Sequence, residues 1–189
     1  MLILGLSCFY HDAAACLLKD GVVVAAASEE RFTRKKQDSR FPEDAIAYCL
    51  ETASIAATDL DAVVFYDKPM LKFDRLLRSH IQTFPASFRH FVQAMPRWMG
   101  NQFRLPKLLK KKLGYTGPLL YSEHHLSHAA SAFYTSGFEE SAVLTVDGVG
   151  EWATASWGVG RGNKIELQGE IHFPHSLGLL YSAFTWYCG

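Results

Sequence analysis

The chain has 189 residues, 49% hydrophobic and 13% aromatic, with 19 basic and 19 acidic side chains. That length and apolar content can bury a sizeable core in one ordinary domain, or in a large piece of a bigger one, and they exclude an intrinsically disordered chain. No uncharged stretch is long enough to span a bilayer, and four cysteines without a CxxC pair read as buried thiols in a reducing compartment, so the expected location is the cytoplasm.

Taken in chain order, Leu2 to Cys8 is apolar and strand-like. With no basic leader before it and His11 and Asp12 soon after, it reads as a buried strand and not as a signal peptide. Ala13 to Leu18 is a second strand, Lys19-Asp20-Gly21 a tight turn, and Val22 to Ser28 the third strand of a meander. The charged run from Glu29 to Lys36 reads either as a solvated segment or as a loop over a cleft. Pro42 then opens a helix to about Thr52, with Ala45, Ile46, Cys49 and Leu50 at helical spacing, and Asp61 to Tyr66 is the next strand.

Zero net charge hides a segregation. From Lys68 to Gly114 eleven Lys and Arg residues face the single acid Asp74, about +10 formally, against about −10 in the remainder. Phe73, Phe84, Phe88, Phe91, Trp98 and Phe103 are interspersed, and Pro85, Pro96 and Pro106 break the stretch, which predicts several short amphipathic helices inserted over about 68–114. Its basic face is a solvated surface, a contact for an acidic or phosphorylated acceptor, or a nucleic-acid contact, although no RNA-binding signature accompanies it. Beyond it, Pro118 to Tyr121 is a short strand that feeds a histidine-bearing helix, and Ser141 to Val146 returns as a strand. Trp152 to Gly160 and Lys164 to Phe173 alternate as a second meander, and Gly178 to Trp186 is helical. The order is that of a ribonuclease-H-like α/β domain.

The histidine helix and the strand after it carry the chemistry. His124 and His128 stand four residues apart, a spacing that puts both imidazoles on one helix face where they can chelate one metal ion. Asp147, at the end of the following strand, would add a carboxylate, and two His with one Asp suit a borderline divalent ion with positions left open. His125 points elsewhere, towards a supporting hydrogen bond or plain packing. In the actin-like ATPases each half begins with a hairpin whose turn wraps nucleotide phosphates. Ser7 to Ala13, with Ser7, His11 and Asp12, matches the first such loop, and Val146 to Glu151, with Asp147, Gly148 and Gly150, the second. Asp-Gly is also the commonest turn signal, so Asp147 has a purely structural reading as well.

Gly5 to Ala15, Glu29 to Lys36, Phe41-Pro42, His124 to Phe133 and Phe173 to Ser182 together resemble the NodU/CmcH family of carbamoyltransferases. The resemblance implies an actin-like domain similar to the universal tRNA threonylcarbamoyladenosine synthase subunit, joined to a domain similar to the threonylcarbamoyl-adenylate-forming enzyme. It further implies that carbamoyl phosphate and ATP give carbamoyl-adenylate in the second domain, and that the carbamoyl group then passes to a hydroxylated acceptor in the first. The metal would be iron or zinc, with the family leaning towards iron. Against the family's length the chain reads as an amino-terminal fragment, without the second half of the actin-like domain, its further acidic ligand, and the adenylate-forming domain. Catalytic roles are expected for His124 and Asp147, and His125 and His11 are the two candidates for the base that takes the acceptor's proton. The alternative is a non-catalytic nucleotide- or metal-binding relic or split subunit.

Overall fold

The computed structural model describes residues 1–10, 12–93, 95 and 104–189. His11 and, in the basic segment, Pro96, Trp98 and Phe103 lie outside the described residues. The strands are β1 (Leu2–Ser7), β2 (Ala14–Lys19), β3 (Val22–Ser28), β4 (Ala62–Phe65), β5 (Leu119–Tyr121), β6 (Glu140–Val146), β7 (Ala153–Arg161) and β8 (Lys164–His172). The helices are α1 (Glu30–Thr33), α2 (Glu43–Ala53), α3 (Pro69–Gln82), α4 (Leu105–Leu113), α5 (His124–Phe133) and α6 (Leu177–Cys188), and residues 88–93 are also helical. None of the described helices is long and apolar enough to cross a membrane.

Two compact units divide the chain. The first comprises Met1–Tyr66 and Pro85–Tyr121. Its sheet has the order β3-β2-β1-β4-β5. The first three strands form an antiparallel meander, whereas β4 runs parallel to β1 and β5 parallel to β4, the ribonuclease-H-like arrangement that the element order predicts. The turn between β2 and β3 works because Asp20 and Gly21 both take positive φ, 52° and 85°, as a two-residue hairpin turn requires. Alternate residues of β1 and β4 (Leu4, Leu6, Val63, Phe65) enter the core with Leu17 of β2, and α2 adds Ala45, Ile46 and Cys49. Cys8 and Cys49 are buried as expected and burial pushes both thiols up; Cys188, by contrast, is exposed.

The basic segment is not wholly an excursion from the cores. Leu105 and Leu109, four residues apart on α4, are buried in the core of the first unit, while Lys107, Lys110 and Lys111 face outward. Its first helix, α3, belongs to the other unit, which comprises Asp67–Phe84 and Ser122–Gly189. That unit is built on an antiparallel sheet, β6-β7-β8, with α5 packed across it. Ala129 and Phe133 of α5 meet Val143, Ile165 and Leu167. The period of two along β6 buries Val143 and Thr145 and turns Leu144 and Val146 outward.

Candidate metal centre

Helix α5 begins at His124 and buries His124, His125, Ala129 and Phe133. Its exposed side carries His128, one turn after His124. β6 ends at Val146, and Asp147 follows with its N–H donated to the carbonyl of Thr154, 2.8 Å, so the ladder holds the aspartate one residue past the strand. The result is a convergence of three donors. His124 Nε2 stands 2.9 Å from Asp147 Oδ2 and 3.1 Å from His128 Nε2, and His128 Nε2 lies 4.0 Å from the same Oδ2. One ligand atom from each residue fits within 4.8 Å of the others.

Hydrogen bonding alone does not account for this geometry. His124 Nε2 carries one proton or one lone pair, directed along one line in the ring plane, so it cannot bond both Asp147 and His128 well. A single cation among the three atoms would satisfy them all, since donors about 2.1 Å from one ion can stand about 3–4 Å apart. The protonation states agree. The His124 contact, aided by the Gly148 N–H, holds the Asp147 carboxyl down to about 2, and burial together with His124 holds His128 below the ordinary histidine range, so both are deprotonated at neutral pH.

The loop behind the ligands is shaped by close approaches. A Cβ on Gly150 would lie 2.9 Å from His125 Cδ2 and 3.1 Å from His124 Cδ2. One on Gly178 would lie 2.4 Å from the carbonyl oxygen of Asp147, so only glycine lets α6 start against this loop. Ser176 caps α6 by accepting from Leu179 N–H and donates to the carbonyl of Gly148, 2.6 Å, which ties the Phe173 to Ser182 block to the Asp147 loop. The amides expected to cradle a phosphate are engaged: Gly148 N–H donates to Asp147 Oδ1, 2.6 Å, and Gly150 N–H to the carbonyl of Ala153, 3.1 Å. Gly150 shapes the loop by its close approach to the two rings, and in this conformation neither amide is open to a phosphate.

His125 is held from behind. Its Nδ1 lies 2.6 Å from Thr145 Oγ1 and 3.1 Å from Ser156 Oγ, two hydroxyls paired across β6 and β7, and burial lowers its pKa. Of its expected roles, as a hydrogen-bonded support, as packing or as a base, that arrangement fits the first. Ser7 and Asp12 belong to the first unit, where Ser7 Oγ reaches the carbonyl of Asp12 at 3.4 Å. The N–H groups of Phe9 and Ala13 in that loop go to the carbonyls of Ser39 and Asp38, both at 2.7 Å. Glu29 proves structural: its carboxylate accepts the Ala45 N–H, 2.9 Å, and caps α2 from afar.

A network on α3 and at its entry was not anticipated from the sequence. Arg75 Nη1 donates to the carbonyl of Gly150, 2.9 Å, and the guanidinium stands 5.7 Å from the centre of the Phe173 ring. Lys72 pairs with buried Asp67, 2.9 Å, and Glu151 accepts the Lys68 N–H. Burial, reinforced by Asp67, pushes the Glu151 carboxyl well up; protonated, it offers an O–H to Asp67 Oδ1, which has no other partner among the described residues. The signal was the spacing of Lys72 and Arg75, one face of a helix whose charges look solvated in the sequence.

Residues 2–189 match the protein family described as Carbamoyltransferase N-terminus. An uncharacterized protein of Synechocystis sp. (strain ATCC 27184 / PCC 6803 / Kazusa) is 54% identical over 195 residues, 99% of this chain and 32% of that protein. Nodulation protein NolNO of Sinorhizobium fredii (strain NBRC 101917 / NGR234) is 35% identical over 184 residues, 96% of this chain and 26% of that protein. The chain thus spans about a third or less of these curated relatives. A solved structure, YeaZ from Pseudomonas aeruginosa, is a distant likeness at 17% identity and a TM-score of 0.44, over 93% of this chain and 71% of that one.

Proposed function

Because the chain belongs to the carbamoyltransferase amino-terminal family over residues 2–189, we propose that it forms the acceptor side of an O-carbamoyltransferase, in which a carbamoyl group passes from carbamoyl-adenylate to a hydroxyl of a small-molecule or sugar acceptor. Carbamoyl phosphate and ATP are the source of that adenylate, which is made outside this chain. The observation that carries the proposal is the convergence of His124 Nε2, His128 Nε2 and Asp147 Oδ2.

These three residues would hold a divalent ion, iron or zinc. When bound, such an ion supplies Lewis-acid stabilisation to an oxygen that gains charge during acyl transfer. The rest of the chemistry is positioning. Asp147 keeps its charge at neutral pH and aims Oδ2 at the histidines because Oδ1 is fixed by Gly148 N–H. Beside the donors, His125 is held by Thr145 and Ser156, and the carbonyl of Gly150, which closes the Asp147 loop, is held by Arg75. As the acceptor oxygen bonds to the carbamoyl carbon, its proton passes to solvent water, the bond between the carbamoyl carbon and the phosphate oxygen breaks, and AMP departs with that electron pair.

The test is metal content after anaerobic loading with ferrous iron or zinc, in the chain and in His124→Ala and His128→Ala. About one ion per chain, and clearly less in both variants, is expected; equal content in all three overturns the proposal.

A further inference from the structure

Gly150 and Glu151, at the end of the Asp147 loop, reach both helices beside it, and all of these residues belong to the second unit. Gly150 lies against the histidines themselves, since a Cβ there would stand 3.1 Å from His124 Cδ2 and 2.9 Å from His125 Cδ2. Its carbonyl accepts from Arg75 Nη1, 2.9 Å. Glu151 is 6% exposed, and its carboxyl group accepts two backbone N–H groups, that of Lys68 at the entry to α3 and that of His124 in the first turn of α5. Helix α5 has no side-chain cap of its own: Glu123 stands at its N-cap without such a bond and turns its carboxylate to Lys68 Nζ, 2.7 Å. The orphan amide of His124 is therefore met from the loop that carries Asp147.

This junction fixes a distance. His124 Nε2 belongs to a helix and Asp147 Oδ2 to the residue after a strand, and they meet at 2.9 Å only if the two elements are held in one register. Ala129 and Phe133 pack α5 on the sheet beyond its first turn, and the bonds of His125 to Thr145 and Ser156 hold that turn from the side of the sheet. A bond to the His124 N–H acts along the helix axis, because helical N–H groups point towards the N-terminus. It holds α5 at the height where its first ring meets Asp147.

We infer that Glu151 is a positioning residue for the candidate metal centre: by accepting the His124 N–H it sets the first turn of α5 against the Asp147 loop, and with it the spacing of the three donors. The ligand role of those donors rests on the function proposed above; the positioning of His124 rests on the hydrogen bonds alone. What the site requires at position 151 is an acceptor of the right length, so a carboxamide serves as well and an apolar side chain of the same length does not.

Zinc affinity of the full chain is measured by competition with a chelator for the parent, Glu151→Met, Glu151→Gln and Glu29→Ala, the last a lost helix cap in the other unit. Glu151→Met is expected to bind zinc about 10–100-fold more weakly, the usual cost of removing a group that orients a ligand. Glu151→Gln and Glu29→Ala keep the parent's affinity. Parental affinity in Glu151→Met, or a Glu151→Gln as weak as Glu151→Met, overturns the inference. If Glu151→Met does not fold, Glu151→Asp, which draws the acceptor back by one methylene, takes its place with the same expected loss. Histidine ring 15N signals of the metal-free chain, with that of His124 identified by its loss in His124→Ala, supply a second readout. The parent and Glu151→Gln show the proton on His124 Nε2, as a donor to Asp147 requires, and Glu151→Met shows both tautomers. An unchanged His124 pattern in Glu151→Met overturns the positioning whatever the zinc result. A parent that takes up no zinc, with His124 altered in Glu151→Met alone, overturns the function proposed above and leaves the positioning in place.

Discussion

Asp147 uses its two oxygens for different purposes, one for the turn and one for the histidines. Asn keeps the size and can still accept the Gly148 N–H through its carbonyl oxygen, but it brings no charge to His124 and His128. Asp147→Asn in a full-length family enzyme is therefore expected to hold thermal stability within about 1 kcal/mol, as a loop change does. Carbamoyl transfer should fall by roughly 100-fold or more, the loss typical of one preorganised electrostatic group. Normal transfer with normal melting would reduce Asp147 to a turn former. Glu151, four residues on, carries the opposite sign. Burial raises its folded pKa to about 8, so the folded chain keeps a proton that the unfolded chain has already released. Its contribution to stability is fully present below the unfolded carboxylate pKa, about 4.3, and is lost as pH rises towards about 8. Glu151→Gln retains a donor for Asp67 and an acceptor for the Lys68 N–H without titrating. The melting temperature of the variant should gain on that of the parent between about pH 5 and about pH 8, and parallel profiles would show that Glu151 is ionised in the fold.

Helix α2 shows how an element can depend on a residue far from it in sequence. Pro42 occupies its N-cap without a side-chain hydrogen bond, and the orphan amides of Asp44 and Ala45 are instead met by Glu29, 3% exposed, at 3.4 and 2.9 Å. A carboxylate there also complements the positive end of the helix. Glu29→Ala should cost about 1–2 kcal/mol in a denaturant melt, with Glu29→Gln losing less because an acceptor oxygen remains; an unchanged midpoint in the alanine variant would contradict the cap. The capping role was illegible because Glu29 opens a charged run and its partners lie fifteen and sixteen residues away. What was legible followed local periodicity. The β1 to β3 meander, α2, the His124/His128 face of α5 and the β6 to β8 meander all declare themselves within a few residues, as alternation, as helical spacing or as Asp-Gly turns. Roles that depend on contacts between elements did not: Leu105 and Leu109 were masked by their lysine neighbours, and Lys72 and Arg75 looked solvated until α3 was packed behind the Asp147 loop. The three candidate ligands lay between these cases, since a helix spacing gives the histidine pair but only the loop geometry delivers Asp147 to it.

On the scale of the molecule, the described surface is more apolar in places than a self-sufficient soluble unit tolerates. Helix α6 has no buried residue, with Trp186 and Tyr187 exposed by 86% and 82%, and β6 and β7 turn Leu144, Val146 and Trp157 outward. Exposed apolar residues that cluster, unlike those scattered singly, mark surfaces that bind something. The chain spans 32% of its Synechocystis relative, so in proteins of that length these faces have further polypeptide available to cover them. Two outcomes are expected of the chain alone. Under the function proposed above it should not consume carbamoyl phosphate with ATP, and turnover by a clean preparation would contradict that division of labour. It should also bind a hydrophobic dye and self-associate as its concentration rises. Trp186→Ser with Tyr187→Ser should weaken both without changing the melting temperature, since neither ring packs on the fold. A strictly monomeric chain with no dye binding would mean that these rings are tolerated as ordinary surface and mark no interface.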